Sequence, residues 1–193
     1  MAREVVFDIE TTGDIRNFAE LEMTVISICE IETGKYSSYT KEELTNLWPI
    51  LEKAERLIGY NSESFDIPIL NKYYAGDLKG FPHLDLLKVI KESCGKRYRL
   101  NDIAKATLQI EKSADGLQAM KWWDEGKIDE IKKYCEQDVK VTKEIYEYGV
   151  KNKMLYYPTI TGDILPIAVN FEMPVSQTSV GGVGNSINLT LPL

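Results

Sequence analysis

What the sequence has little of narrows it first. Its three cysteines, Cys29, Cys94 and Cys135, are scattered over 193 residues and form no CxxC pair. That argues against a disulfide framework and against a zinc ribbon, and such cysteine usage fits a reducing cytoplasm. No apolar run approaches the ~20 residues that a membrane span needs, so no membrane is expected. The opening MAREVVFD runs straight into a strand-like stretch, with no room for a signal peptide. Positive charge is in deficit: 23 Lys and Arg stand against 30 Asp and Glu, a net charge of −7. This argues against a protein that coats nucleic acid without specificity. It does not exclude an enzyme whose acids hold metal ions, because those ions cancel charge where a substrate binds. Residues 173 to 193 carry no charge at all. The remainder, 44% hydrophobic and 27% charged, is an ordinary globular composition long enough for one domain with a sizeable core.

Periodicity sketches the elements. Val5–Ile9, Thr24–Cys29 and Tyr36–Thr40 read as strands, with a turn at Glu32-Thr33-Gly34-Lys35 between the last two. Thr40 and Glu43 stand in capping-box positions ahead of a helix to about Ala54, in which Leu44, Leu47 and Leu51 recur at helical spacing. Arg56–Tyr60 reads as a short fourth strand. Helices follow at about Phe65–Tyr74, Asp85–Cys94, Asn101–Leu108, Gly116–Asp124 and, longest, Lys127–Val150. Strands lead and helices interleave, which predicts an α/β fold with a mixed central sheet. After a first unit over residues 1–154, an extension over 155–193 reads as two strands around the Gly- and Ser-rich SQTSVGGVGNS. Alternation over 165–173 and 187–193 marks those strands, a β-hairpin-like arm that must bury a face on the domain or on a second copy, making a homodimer.

Three segments carry acids in suggestive places. In FDIETTG, Asp8 and Glu10 end an apolar strand two residues apart, on one face. Two desolvated carboxylates side by side repel, so a cation belongs between them or the pair lies in open water. In GYNSESFDIPIL, Asp66 opens a helix, where an acid is also an ordinary cap. In YCEQD, Tyr134 and Asp138 are four apart on one helical face, which a surface contact would equally explain.

Together, and in this order, the three segments resemble the tyrosine branch of the DEDD superfamily of exonucleases, and most closely the proofreading exonuclease domain of B-family DNA polymerases. That family's motifs look like DIET, GYNxxxFDxPxL and YCxxD. The resemblance covers about residues 3 to 150, leaves no room for a polymerase domain, and so looks like a stand-alone relative. It implies an RNase H-like fold and two divalent ions, Mg²⁺ or Mn²⁺, held by Asp8, Glu10, Asp66 and Asp138. It also implies a Tyr134 hydroxyl that orients the attacking water. The superfamily's other branch uses a histidine there; the one histidine here, His83 in GFPHLDL, reads as a structural or edge residue.

By the same resemblance Thr11, Thr12 and Gly13 would lie against the terminal nucleotide, although a tight turn needing Gly explains them too. Asn61 would position the substrate. Phe65 would either stack on a base or pack in the core. Asp85 reads as a helix cap or as an acid behind the site. Lys96, Arg97 and Arg99, in GKRYRL, are the densest basic cluster, either tracking a nucleic-acid backbone or forming a solvated loop. The expectation is a metal-dependent 3′–5′ exonuclease acting on the 3′ end of single-stranded DNA. An RNA-processing enzyme of the same superfamily, a catalytically inert nucleic-acid-binding module and a nuclease serving a larger assembly through its C-terminal strands are the alternatives.

Overall fold

Alternation along the first strand sets the layers of the molecule. The structure, a computed structural model, describes residues 3–14, 16–110 and 116–172. Strand β1 (Glu4–Thr12) turns Val5, Phe7 and Ile9 toward one side and Val6 toward the other, with all four buried. β2 (Glu22–Glu30) and β3 (Lys35–Thr40) extend the sheet antiparallel from one edge of β1. β4 (Arg56–Gly59) and β5 (His83–Asp85) extend it parallel from the other. The resulting order, β3-β2-β1-β4-β5, is the mixed sheet expected for an RNase H-like fold.

Helices cover both faces. α1 (Leu44–Leu51) and α2 (Asp66–Leu70) share a core with Phe7, Ile9, Ile26 and Ile28. α3 (Leu86–Cys94), α4 (Leu100–Leu108) and the 25-residue α6 (Ile128–Asn152) pack with Val6, Cys29 and Ile58 on the other side. α5 (Gly116–Asp124) leads into α6. No helix among the described residues is long and apolar enough to cross a membrane.

Several elements differ from the sequence expectation. The helix after Thr40 starts as a 3-10 turn at Lys41–Glu43, held by the expected Thr40–Glu43 capping box. α2 stops at Leu70 instead of reaching Tyr74, and the chain goes on in tighter turns closed by Lys72 N–H to Ile69 O and Tyr73 N–H to Leu70 O. β5 was not expected: three residues carry too short a period, and their strand character comes from pairing with β4.

The C-terminal hairpin is present, but its strands are β6 (Met154–Pro158) and β7 (Ile164–Ala168). The alternation seen from Leu165 onward is real, yet its partner lies upstream, immediately after α6. The expected loop SQTSVGGVGNS and second strand 187–193 lie outside the described residues. The hairpin covers its apolar side on its own domain. Leu155, Ile167, Val169 and Phe171 join the core beside α6, and Thr107 on α4 exchanges two hydrogen bonds with the Tyr156 backbone, at 3.2 and 3.0 Å. Phe171 lies over Gly149, where an added Cβ would meet its Cε2 at 2.3 Å. Only glycine leaves room for the ring to cross the helix.

A buried ionic knot ties the far ends of these elements together. Arg56, at the start of β4, donates through Nε to Glu4 Oε1 at 2.9 Å and makes a second contact through Nη2. Its other donors reach the Phe171 carbonyl at 2.9 Å and Tyr146 OH at 2.7 Å, and that hydroxyl donates onward to Glu4 Oε2 at 2.7 Å. Side-chain exposure is 5% for Arg56 and 13% for Glu4. Removing one partner of such a pair leaves the other charge uncompensated, which typically costs 3–5 kcal/mol. Arg56→Met is therefore expected to lose about 3 kcal/mol in urea unfolding. Loss of less than about 1 kcal/mol would mean that water reaches Glu4 and replaces the guanidinium.

Candidate metal centre

The carboxyl ends of the parallel strands β1, β4 and β5 lie along one edge of the sheet, and the acids of the three motifs collect there. Asp8 and Glu10 stand opposite Ser27 and Val25 of β2, on the side where α6 packs. Just beyond Glu10 the β1–β2 register slips: Glu10 pairs with Val25 but Thr11 with Met23, leaving Thr24 as the extra residue. Such a bulge re-aims the side chains that follow it. It separates the acid-bearing stretch of β1 from the Thr11–Gly13 turn.

β4 pairs with β1 only as far as Val6↔Ile58, so beyond that point β1's backbone has no strand beside it on that flank. Asp66 fills the gap. Its Oδ1 accepts the N–H of Ile9 at 3.2 Å, and Ile9 is the residue between Asp8 and Glu10. The acid of the second motif is thereby fastened to the backbone of the first. Burial is the main influence on its carboxyl group and pushes it up to about 7. The backbone N–H groups of Asp66 and Ile9 pull the other way, and the charge of Asp85 adds to the rise. Burial disfavours the charged form and outweighs the two N–H donors.

From the other side α6 presents Tyr134, Cys135 and Asp138, all buried. The Cys135 thiol donates to the Asp8 carbonyl at 3.2 Å and lies 3.9 Å from Asp8 Oδ2. One oxygen of Asp8, one of Glu10 and Cys135 Sγ all lie within 4.8 Å of one another. Burial, then the charges of Asp8 and Glu10, raise this thiol well above its ordinary range; Ser27 opposes the rise and Asp138 adds to it. Cys135 thus stands among three of the motif acids as a neutral donor. A thiolate would be needed for a metal ligand, so the ligand atoms on offer are carboxylate oxygens, the type hard divalent ions prefer. A divalent cation fits this donor set on two counts: it would favour the ionised form of Asp66 that burial opposes, and it would find oxygens of Asp8 and Glu10 close together. Sequence reasoning passed over Cys135, although the signal was there, since it lies three residues before Asp138 on the same helical face.

The remaining residues sit around this edge. Tyr134 packs edge-on against Trp122, ring centroids 6.1 Å apart. Thr11 and Thr12 end β1, and Gly13 turns with φ 111°, where a Cβ would press on the Glu20 carbonyl at 3.1 Å. Phe65 is half-buried, with its ring against Phe18 at 5.9 Å, 76° between planes. Asn61 adopts left-handed backbone, φ 66°, and its N–H donates to Asp85 Oδ1 at 2.8 Å. Asp85 both caps α3, through Leu87 N–H and Lys88 N–H, and braces the second motif's loop through Asn61 and Glu63. His83 lies on the edge strand β5, with Nε2 2.8 Å from Ser62 Oγ and its ring edge-on to Phe7. Burial lowers its pKa and keeps it neutral.

A family model of the RNase H superfamily matches residues 5–150; the chain belongs to that superfamily. Among solved structures the chain is similar to the family B DNA polymerase from the hyperthermophilic archaeon Pyrobaculum calidifontis, with a TM-score of 0.62 and 15% identity. The match covers 78% of this chain and 25% of that one, so the likeness is of fold and spans a quarter of the polymerase. No curated protein matches the chain.

The buried carboxyl of Asp66 generates a pH prediction. Its folded pKa is raised from 3.8 to about 7, so its contribution to stability is full below pH 3.8 and is lost as pH rises through 7. A cation needs the ionised form, so protons compete with it below that pH. Thermal melts with millimolar Mn²⁺ should show stabilisation that is large at pH 8 and smaller by half or more at pH 5.5. A melting temperature unmoved by Mn²⁺ at both pH values would count against an assembled cation site.

Proposed function

We propose that this chain is a metal-dependent 3′–5′ exonuclease of the DEDD superfamily's tyrosine branch, removing nucleotides from the 3′ end of a single strand, DNA before RNA. The observation that carries the reading is the hydrogen bond from Ile9 N–H to Asp66, which fastens the second motif's acid to the backbone of the residue between the two acids of the first. Asp138 acts on the same thiol as those two. The superfamily membership and the sheet topology support it.

In this reading Asp8, Glu10, Asp66 and Asp138 hold two Mg²⁺ or Mn²⁺ ions. Bound there, such ions supply an acidified water and neutralise charge on the phosphate and the leaving 3′ oxygen. The protein's own part is placement. Tyr134, held by Trp122 and one helical turn before Asp138, directs its hydroxyl at the attacking water and aligns it with the phosphorus. The turn at Thr11, Thr12 and Gly13 receives the terminal nucleotide, with Asn61 orienting its sugar–phosphate and Phe65 at the base. Cys135 steadies Asp8 by taking up its backbone carbonyl.

Two substitutions separate metal binding from water positioning. Asp138→Ala removes a ligand and should abolish cleavage of end-labelled strands while reducing Mn²⁺-induced stabilisation. Tyr134→Phe keeps the ring against Trp122 and should slow cleavage by about 10²–10⁴-fold. Its Mn²⁺ stabilisation should stay intact, and the lost hydroxyl should cost only about 1 kcal/mol. Product ladders from labelled DNA and RNA, with Mg²⁺, Mn²⁺ or EDTA, report polarity and sugar preference together. A wild-type chain that cleaves no strand with either metal replaces the exonuclease with a binding module.

A further inference from the structure

Beside the carboxylates, toward the β5 edge of the sheet, two open cavities of about 220 and 320 Å³ meet at Asn61, Leu87 and Arg97. The first is walled by Lys88 and Lys91 on α3, the second by Tyr98 and Arg99 ahead of α4. Together they make one groove that starts five residues before Asp66 in sequence and leads away from the acids.

Its charge runs against that of the whole molecule. The chain is net −7, yet Lys91, Lys96, Arg97 and Arg99 are all exposed along or beside this groove. Among the described residues none of the four has a carboxylate within ion-pair distance. Three of the nearby acids are otherwise engaged, while Glu92, exposed on α3 four residues after Lys88, offsets part of the positive charge. Asp85 is buried and receives four backbone N–H groups, Glu63 pairs with Lys88 at 2.7 Å, and Asp102 accepts from Arg99 N–H at 3.3 Å.

The groove is also built in advance. Arg97 Nη2 donates to Asn61 Oδ1 at 2.6 Å, one of its five donors. Tyr60 OH donates to the Tyr98 carbonyl at 2.8 Å and bolts the 95–99 loop to the end of β4. Asp85 holds the other side of Asn61 in its left-handed conformation. Fixed donors spaced along a groove suit an extended polyanion, since little ordering is left to do on binding.

We infer that this groove binds the sugar–phosphate backbone of a single strand on the 5′ side of the cleaved bond, with Lys91, Arg97 and Arg99 neutralising successive phosphates. Asn61, one of the three residues common to both cavities, is where the strand passes from the groove to the carboxylates. The inference rests on the exonuclease reading only for the direction of the strand. The groove reads charge and reach, so it sets how long a strand must be to bind well, and it is indifferent to base identity.

The test is fluorescence anisotropy of labelled oligothymidylates with Ca²⁺ balancing the carboxylates, read before any cleavage product appears. A strand of roughly twelve nucleotides spans the acids and the groove, whereas a trinucleotide occupies the acids alone. Lys91→Glu combined with Arg99→Glu should weaken the longer strand about ten-fold or more and reduce the slope of log K against log salt by about two between roughly 50 and 200 mM. Trinucleotide affinity should stay at the wild-type value, and Lys35→Glu, a charge reversal on β3, should change neither. Equal weakening of both lengths, no weakening of the long strand, the same loss from Lys35→Glu, or equal competition by polyglutamate of matched charge would each overturn the groove. A chain that never cleaves but keeps the length dependence sinks the exonuclease reading and leaves the groove standing. A chain that cleaves while the double variant binds like wild type sinks the groove alone.

Discussion

Buried carboxylate at the carboxyl end of β1 is the constraint on which the site depends. Strand geometry places Asp8 and Glu10 on one face, and a missing stretch of β4 leaves the backbone between them open to a third acid. Each of these choices concentrates negative charge where water is scarce, and each would be destabilising by itself. The fold tolerates them by turning donors toward them: Ile9 N–H to Asp66 and, at 3.9 Å, the Cys135 thiol to Asp8 Oδ2. At Asp66 burial still outweighs the donors, and its pKa rises to about 7. A site in this condition is primed to exchange protons for a cation.

The opposite end of β1 is handled in the reverse way. There the charge is complete within the protein: Glu4 meets Arg56, Tyr146 and, through Arg56, the Phe171 carbonyl. The same strand therefore carries an ionic cluster centred on Arg56 at its start and a group of carboxylates at its end. α6 touches both, with Tyr146 at one and Cys135, among the acids, at the other. The helix is a rigid spacer that keeps the reactive end in register while the structural end fixes it.

Much of this was legible in the chain. Alternation put Asp8 and Glu10 on one face, helical spacing put Tyr134 beside Asp138, and Thr40 with Glu43 announced their capping box. The residues and order of FDIETTG, GYNSESFDIPIL and YCEQD pointed to an RNase H-like fold, which the RNase H superfamily model at residues 5–150 bears out. The unread parts share a cause: their meaning depends on partners far away in sequence. Cys135 in YCEQD looks like a core cysteine until Asp8, 127 residues earlier, is beside it. Asp85 looks like a helix cap, and is one, but two of its four donors come from the loop after β4. β5 is three residues long and exists because β4 pairs with it. The hairpin's first strand, MLYYP, follows a long helix with no turn signal of the Asn-Gly kind, and the turn that closes it places Gly162 at φ 90°.

The segment after α6 is held both by its buried side chains, Leu155, Ile167, Val169 and Phe171, and by its backbone. Arg56 grips a carbonyl oxygen at Phe171, which any residue could offer, and the slot over Gly149 asks only for a flat ring. The likeness to the superfamily ends at residue 150, while the hydrophobic interior continues to Phe171. Ancestry and packing thus draw the edge of this molecule in different places. The hairpin's buried positions are therefore as constrained as those of the matched region, although they lie beyond it.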